Sequence, residues 1–292
     1  MTVISEGAAS ANGVDFSYLA AGDPGAPLAL CLHGFPDSAH TWRHLLPALA
    51  AAGYRAIAPF QRGYAPTSVP PDGRYQTGAL AIDATALHDT LGGTGEAVII
   101  GHDWGATGTH GAAVFAPERW AKVVTMAVPP GPAMGISFVT NLAQVQRSWY
   151  MFFFQHGLAD LVVPANDLAF IDLLWSQWSP GYDATDDLVT TKASLRDAAN
   201  LTAALGYYRA TLGDGLKDPA LDEVQAATQG WATQPHLYLH GRNDGCIGAE
   251  VAELAASMAP PNVTIEIVEH AGHFLHLEQA AAVNARIVEF LA

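Results

Sequence analysis

The most informative stretch of the chain is Val98-Ile99-Ile100-Gly101-His102-Asp103-Trp104-Gly105-Ala106. A β-branched apolar run ends there, a helical pattern follows, and glycines lie two residues before and two residues after Asp103. Small residues at these positions let the backbone turn sharply from strand to helix and project one side chain at the end of a sheet. This pattern is typical of the nucleophile elbow, usually Gly-x-Ser-x-Gly, with aspartate in the serine position. An ordinary strand followed by an Asp N-cap and a glycine-rich turn fits the same residues.

Aspartate at this position changes the chemistry that the elbow could perform. A carboxylate that attacks an ester carbonyl forms an anhydride, with little gain. Attack on an sp3 carbon that bears a leaving group instead forms an alkyl ester, which water can hydrolyse. If Asp103 is a nucleophile, the sequence therefore indicates displacement on an epoxide or an alkyl halide. A serine-type esterase is not expected, because the elbow holds no serine.

Length and composition predict a globular protein with one large domain or a domain that carries an insertion. The chain has 292 residues, half of them hydrophobic, and a formal net charge of −15. This acidity argues against nucleic acid and anionic membrane surfaces as partners, because both prefer a basic face. The two cysteines, Cys31 and Cys246, are too few for a disulfide framework or a four-thiolate zinc site.

Targeting and cofactor signals are not found in the sequence. Residues 1–6 show no basic stretch leading into an apolar one, and no apolar run approaches the roughly 18 residues of a membrane span. We therefore expect a cytoplasmic protein without a membrane span. The glycines form neither a phosphate loop nor a dinucleotide fingerprint, so no cofactor is expected. The oligomeric state, a homo-oligomer included, stays open.

Strands alternate with helices along most of the chain, which predicts an α/β protein with a mostly parallel sheet flanked by helices. The predicted strands are residues 14–19, 28–32, 54–58, the elbow strand, 122–128, 236–239 and 263–268, and the predicted helices are residues 42–52, 79–91 and 280–291. Between residues 131 and 221 the alternation stops and an aromatic-rich helical stretch replaces it. We interpret this stretch as a helical cap inserted between two parts of the core, residues 1–130 and 222–292.

Two loops that follow late strands offer the partners that an Asp nucleophile needs. Asp244 follows the strand at residues 236–239, and His273 follows the strand at residues 263–268. Open α/β sheets collect reactive groups at the carboxyl ends of their strands, and the chain order nucleophile, acid, histidine fits this architecture. Taken singly, His273 fits a surface loop and Asp244 a turn former. His270, His273 and His276 are spaced by three but lack a matching carboxylate or thiolate motif, so no metal site is expected.

A second turn, His33-Gly34-Phe35-Pro36, follows the strand at residues 28–32. Backbone N–H groups converge in such turns, and those of Phe35 and Trp104 would form an oxyanion hole for water attack on an Asp103 ester. An ordinary turn that contains proline explains the tetrapeptide equally well.

Taken together, His33-Gly34-Phe35-Pro36 and Gly101-His102-Asp103-Trp104-Gly105 resemble the epoxide hydrolases of the α/β-hydrolase fold. The resemblance covers essentially the whole chain, including the position of the cap. It implies an epoxide and water as substrates, and two cap tyrosines that hold and protonate the epoxide oxygen. Tyr150, in an aromatic run that ends Phe154-Gln155, matches the first. Tyr208, before Arg209, fits the second best, with Tyr207 as the alternative; both could instead be packing residues. The aromatic residues of the cap favour a small apolar epoxide.

The chain departs from that family at Gln61, where an aspartate commonly precedes Arg-Gly-Tyr, and this leaves the entrance and substrate range open. A dehalogenase of the same fold is the nearest alternative. Haloalkane dehalogenases often carry asparagine at the place of Phe35, although the Trp104 indole N–H could still bind halide. Haloacetate dehalogenases usually carry arginine at the place of Trp104. A non-catalytic ligand-binding protein of this fold is a further alternative, and the intact nucleophile, acid and base argue against it.

Overall fold

An eight-stranded sheet forms the centre of the computed structural model, which describes residues 3–292. The strands are β1 (Ser5–Ala11), β2 (Val14–Ala21), β3 (Leu28–Leu32), β4 (Arg55–Pro59), β5 (Val98–His102), β6 (Lys122–Met126), β7 (His236–Gly241) and β8 (Val263–Val268). Their order in space is β1-β2-β4-β3-β5-β6-β7-β8. The pairs β1–β2 and β2–β4 are antiparallel and the other pairs are parallel. The predicted mostly parallel α/β sheet is confirmed. Met1 and Thr2, which begin the stretch examined for a targeting signal, lie outside the described residues.

Helices cover both faces of the sheet. They are α1 (Leu45–Ala51), α2 (Thr77–Thr90), α3 (Trp104–Phe115), α4 (Ala133–Thr140), α5 (Leu142–Arg147), α6 (Trp149–Phe153), α7 (Ala159–Val162), α8 (Ala165–Trp178), α9 (Thr185–Leu195), α10 (Ala198–Leu212), α11 (Asp222–Ala227), α12 (Ala249–Met258), α13 (Leu275–Glu278) and α14 (Ala280–Leu291). Short 3-10 turns lie at Ala39–Arg43, Pro117–Arg119 and Pro219–Leu221. None of the helices in residues 3–292 is long and apolar enough to cross a membrane.

The central strands are apolar along their whole length because both of their faces are buried. Every residue of β3, β5 and β7 is buried. Successive side chains point to opposite faces, so Cys31 and Ile100 belong to one hydrophobic cluster while Leu30 and Ile99 belong to the other. The two clusters fix the sheet between its helical layers and hold the ends of the strands in place.

The sequence missed β1, and some predicted boundaries were wrong by a few residues. Strand β1 contains mostly small residues and has no apolar alternation, but it pairs with β2 across Asn12-Gly13, where both φ angles are positive, as a tight hairpin requires. The strand predicted to reach residue 128 ends at Met126, because Ala127 adopts a φ of 66° and turns the chain.

Helices α4 to α10 lie between β6 and β7 and pack over the loops that follow the parallel strands. The Trp175 indole donates to the carbonyl oxygen of Pro36 at 2.8 Å, and the Asn200 amide donates to the carbonyl oxygen of Gly63 at 2.8 Å. Helix α11 returns to pack on α2 and α3. The aromatic-rich stretch of the sequence therefore covers the edge of the sheet at which the candidate residues lie.

Candidate active site

Asp103 lies between β5 and α3, and its backbone has φ 53° and ψ −120°. A positive φ is strained for a residue other than glycine and is common at functional sites. The turn is possible because its glycines leave room. A Cβ on Gly101 would overlap the carbonyl oxygen of Gly105, and a Cβ on Gly105 would overlap that of Leu32. The chain thus makes the sharp strand-to-helix turn expected of an elbow, with a nearly buried carboxylate at its tip.

His273 and Asp244 meet Asp103 although they come from different loops. His273 Nε2 lies 3.7 Å from Asp103 Oδ2, and His273 Nδ1 lies 2.9 Å from Asp244 Oδ2. The other oxygen of Asp244 accepts from the backbone N–H groups of Cys246 at 2.7 Å and Ile247 at 2.9 Å. One carbonyl of the inserted helices, that of Trp178, accepts from the N–H groups of both Gly245 and His273 at 3.0 Å. This shared acceptor therefore holds the loop of Asp244 and the loop of His273 together.

The two carboxylates favour a charged histidine. Burial opposes the charge on His273, but Asp244 and Asp103 outweigh this effect and raise the pKa of His273 to about 10. Burial also opposes ionisation of Asp244, yet the His273 charge and the backbone donors keep the pKa of Asp244 below its ordinary value. At neutral pH the resting site thus holds a protonated imidazole beside the ionised carboxylate of Asp244.

The turn at residues 33–36 supplies a donor to Asp103. The Phe35 N–H donates to Asp103 Oδ1 at 2.7 Å, and a Cβ on Gly34 would overlap the Asp103 carboxylate. Trp104 is the first residue of α3, so its N–H has no acceptor within the helix. His33 lies beneath the turn: Gln61 N–H donates to its Nε2 at 3.0 Å, so its Nδ1 donates to the Gly34 carbonyl oxygen at 2.9 Å.

The two adjacent tyrosines of α10 point in different directions. Tyr207 donates its hydroxyl to the carbonyl oxygen of Arg62 at 2.8 Å and is thereby directed away from Asp103. Tyr208 faces Trp104, with ring centroids 5.0 Å apart, and its buried hydroxyl has no hydrogen-bond partner in the described chain. Tyr150, from α6, lies beside Tyr208 with a centroid distance of 5.7 Å, and its hydroxyl is 3.3 Å from Cys246 Sγ.

A cavity of about 250 Å³ reaches Asp103, Trp104, Tyr150 and Tyr208. Its remaining wall is mostly apolar near the tyrosines and polar on the side of α2 and α11, and it comprises Thr77, Thr107, His110, Val128, Pro129, Gly131, Met134, Gly135, Phe138, Met151, Thr211, Leu212, Gln225, Thr228, Gln229 and Ile247. Neither Tyr207 nor Gln61 lines it. An apolar molecule of modest size that enters this cavity would meet the carboxylate and both phenols at once.

The sequence did not indicate three features of the site. Cys246 contacts Tyr150, and no pattern in the chain marks it. Asp37 and His276 are buried close to His273, whereas in the sequence His276 only raises the question of a metal set with His270 and His273. In the structure His270 is exposed, so these three histidines do not converge. These groups can be recognised only from contacts between residues that are far apart in the sequence.

Comparison with known proteins agrees with this architecture. Residues 27–280 match the family described as alpha/beta hydrolase fold. The chain is 30% identical to AB hydrolase superfamily protein YfhM of Bacillus subtilis, with 96% of this chain and 95% of that protein covered. It is 29% identical to Epoxide hydrolase A of Mycobacterium tuberculosis, with 96% and 95% covered. The crystal structure of Epoxide Hydrolase A from Mycobacterium thermoresistibile is 28% identical and superposes with a TM-score of 0.78, covering 99% of this chain and 98% of that one.

The fold and the site together define a hydrolase of the α/β class whose elbow carries aspartate. The chain belongs to the alpha/beta hydrolase fold family. The resemblance to epoxide hydrolases noted in the sequence is confirmed by named epoxide hydrolases among the relatives and the solved structures.

Proposed function

We propose that this protein hydrolyses epoxides to vicinal diols through a covalent ester on Asp103. The observation that carries the proposal is that the two oxygens of Asp103 have different neighbours. Oδ1 is held by the Phe35 N–H, while Oδ2 faces His273. Relatives named as epoxide hydrolases support the substrate class.

In the first step Asp103 Oδ2 attacks an epoxide carbon, and the carbon–oxygen bond of the ring breaks. Tyr150 and Tyr208 hydrogen-bond to the epoxide oxygen, and one of them gives it a proton. Their hydroxyls are suited to this role because one has no partner and the other has only a thiol, which is a weak hydrogen-bonding group. Burial raises the pKa of both phenols, so they reach the substrate as neutral donors.

Ester formation also prepares the base. Once Asp103 is esterified its negative charge is gone, and one of the two interactions that raise the pKa of His273 is lost with it. The pKa of His273 falls, and the ring gives its proton to the tyrosinate that ring opening left, so that a neutral imidazole oriented by Asp244 remains. Esterification thus turns the resting imidazolium into a general base.

In the second step His273 takes a proton from water, and the resulting hydroxide adds to Cγ of Asp103. The negative charge develops on Oδ1, where the N–H groups of Phe35 and Trp104 stabilise it. The bond between Cγ and Oδ2 then breaks, and the diol leaves with Oδ2 after it receives the proton from His273. The new carboxylic acid of Asp103 gives its proton back to His273, which restores the resting pair. No cofactor or metal takes part.

We also propose that residues 131–221 act as a cap between the core parts 1–130 and 222–292. Both tyrosines come from this segment, and Trp178 ties it to the acid and histidine loops. Closing the cavity over Asp103 removes bulk water, which strengthens the hydrogen bonds to the epoxide oxygen.

The first experiment is product analysis on aromatic, aliphatic and fatty epoxides together with haloalkanes and haloacetates, with Asp103→Asn as the control. Diol formation that is lost in the variant supports the proposal. In a single turnover in heavy-oxygen water, the first diol should carry unlabelled oxygen from Asp103. Label found directly in that diol would refute the covalent route.

Dehalogenation is the second candidate, and one observation favours it. The Trp104 indole N–H is buried beside the nucleophile and has no hydrogen-bond partner among residues 3–292, so it is free to bind a halide. Halide release without diol in the same panel would assign this activity and leave the tyrosines as packing residues. Formation of neither product by the wild-type protein would favour a binding protein without catalysis.

A further inference from the structure

Behind His273 lies a buried group of three side chains that the proposed reaction does not use. Asp37 follows the Phe35-Pro36 turn, His102 immediately precedes Asp103, and His276 lies in α13. Each offers one ligand-type atom, and these atoms lie within 4.8 Å of one another. All three side chains are almost completely inaccessible to solvent.

The tautomer of His102 follows from its neighbour. Its Nε2 lies 2.9 Å from the carbonyl oxygen of His273, and a carbonyl oxygen can only accept a hydrogen bond. Nε2 therefore carries the hydrogen, and Nδ1 of the neutral ring is an acceptor. Burial and the charge on His273 lower the pKa of His102 to about 3, which keeps the ring neutral.

His276 is hydrogen-bonded on one side of its ring. Its Nε2 lies 2.5 Å from Thr41 Oγ1, and either group can be the donor of that bond. Its Nδ1 is buried and has no hydrogen-bond partner in the described chain. Burial and the neighbouring histidines lower the pKa of His276 far below its ordinary value.

Two acceptors, Asp37 Oδ2 and His102 Nδ1, thus lie in this group without a hydrogen-bond donor. Asp37 Oδ2, His102 Nδ1 and His276 Nδ1 are all buried and have no partner within the described chain. Unpaired buried acceptors are costly, and a single proton placed among them removes the conflict. A divalent cation fits the site less well, because the protonated ring of His273 lies 4.8 Å from the ring of His102.

We propose that Asp37 is held as a neutral carboxylic acid whose proton is donated to the imidazoles of His102 and His276. Through His102 this proton keeps the backbone of His273 in position, so Asp37 and His276 are positioning residues for the reaction proposed above. The catalytic part of the inference rests on that proposed function, whereas the protonation of Asp37 does not.

The surrounding charges are compatible with a neutral acid. Burial raises the pKa of Asp37 to about 8, while Thr41 and the Ser38 N–H oppose the rise. Of the more distant charges, Asp187 raises the pKa of Asp37 and Arg43 lowers it, and these two residues form an ion pair with each other. The charge on His273 and His44 lower the pKa of His276. The neutral phenol of Tyr64 also lies near Asp37.

The sign of the pH dependence follows from the raised pKa. An acid that binds its proton more tightly in the folded state than in the unfolded chain stabilises the fold at low pH. This contribution is fully present below about pH 4 and is lost as the pH rises through about 8. The urea midpoint of the wild-type protein should therefore fall between pH 6 and pH 9 by more than that of Asp37→Asn, in which the amide donor cannot ionise.

The experiment compares Asp37→Asn, which keeps a donor, with Asp37→Leu, which removes it, and His276→Gln with the matched control His236→Gln. His236 is another buried neutral histidine, on β7, bonded to Thr125. We expect Asp37→Leu to lower kcat by about tenfold or more with KM nearly unchanged, because small displacements of a base are costly. Asp37→Asn should restore kcat and remove an alkaline decline of activity near pH 8. His236→Gln should leave kcat and its pH profile unchanged.

Three results would overturn the inference. The first is the same loss of stability from pH 6 to pH 9 in the wild-type protein and Asp37→Asn. The second is one equivalent of zinc in the purified wild-type protein that Asp37→Asn lacks. The third is a kcat that responds equally to His276→Gln and His236→Gln. The urea titration needs no substrate, so it tests the protonation of Asp37 even if the protein proves inactive on epoxides.

Discussion

Tyr207 and Tyr208 allow a sharp test of the ring-opening step, because they are adjacent, equally buried and differ in what their hydroxyls contact. The Tyr207 hydroxyl donates to the carbonyl oxygen of Arg62 at 2.8 Å. The Tyr208 hydroxyl has no partner in the described chain and lies against the cavity that reaches Asp103. Replacing each with phenylalanine should therefore have opposite consequences.

The expected magnitudes follow from these contacts. A hydrogen bond to a developing alkoxide is charge-assisted and contributes about 1.5–3 kcal/mol, so Tyr208→Phe should slow ring opening roughly 10- to 150-fold. The same variant loses no hydrogen bond in the resting protein, so its free energy of unfolding should stay the same or rise. Tyr207→Phe leaves the carbonyl of Arg62 unpaired in the interior, which costs about 1–3 kcal/mol of stability. Its ring-opening rate should stay within about twofold of wild type.

The assay is a rapid-quench single turnover with an aryl epoxide, in which the ester on Asp103 is measured by mass, alongside urea unfolding of both variants. The reasoning is refuted if Tyr208→Phe forms the ester as fast as the wild-type protein. It is equally refuted if Tyr207→Phe is the slower of the two. Loss of stability in Tyr208→Phe would show that its hydroxyl is bonded in the resting protein.

Further predictions concern the second step, the elbow and the charge of the site. Replacing His273 with Gln should allow ester formation and slow its hydrolysis by about 100-fold or more, so that intact-mass analysis finds an adduct on Asp103; turnover at the wild-type rate would exclude His273 as the base. Replacing Gly34 with Ala should abolish ester formation, because the added methyl group overlaps the Asp103 carboxylate, and an active variant of normal stability would contradict this steric argument. Replacing Cys246 with Ser should slow ring opening several-fold, because a hydroxyl hydrogen-bonds Tyr150 more strongly than a thiol does; an unchanged single-turnover rate would count against it. The pKa of His273, raised from 6.5 to about 10, contributes stability that is fully present below pH 6.5 and is lost as the pH rises through about 10. Denaturant titrations over this range should show that loss in the wild-type protein and a smaller one in Asp103→Asn.

Much of the fold could be predicted because its signals are local. The apolar runs at β3 and β5 indicated strands buried on both faces, and the predicted bounds of β8 and α14 agree with the structure. The glycines around Asp103 predicted the turn, since a sharp turn requires small residues within a few positions of its tip. Strand β1 was not predicted because a strand of small residues shows no alternation of apolar and polar residues, although Asn12-Gly13 is a hairpin signal.

Chain order and strand ends also predict that Asp103, Asp244 and His273 lie at one edge of the sheet, and in the structure the three side chains meet there. This inference worked because parallel strands bring their carboxyl ends together regardless of sequence separation. Patterns within the sequence therefore predict the sheet, the turn and the residues that lie at its edge.

The tertiary structure separates the two adjacent tyrosines of α10, which are equally buried, whereas the sequence favours Tyr208 only through its place before Arg209. It alone brought Cys246 to Tyr150, which is 96 residues away along the chain, and gathered Asp37, His102 and His276 behind His273. These contacts depend on how the inserted helices and the loops pack against one another. Hydrogen bonds between distant segments form only where packing brings a donor to an acceptor, and no local pattern of residues indicates where that happens.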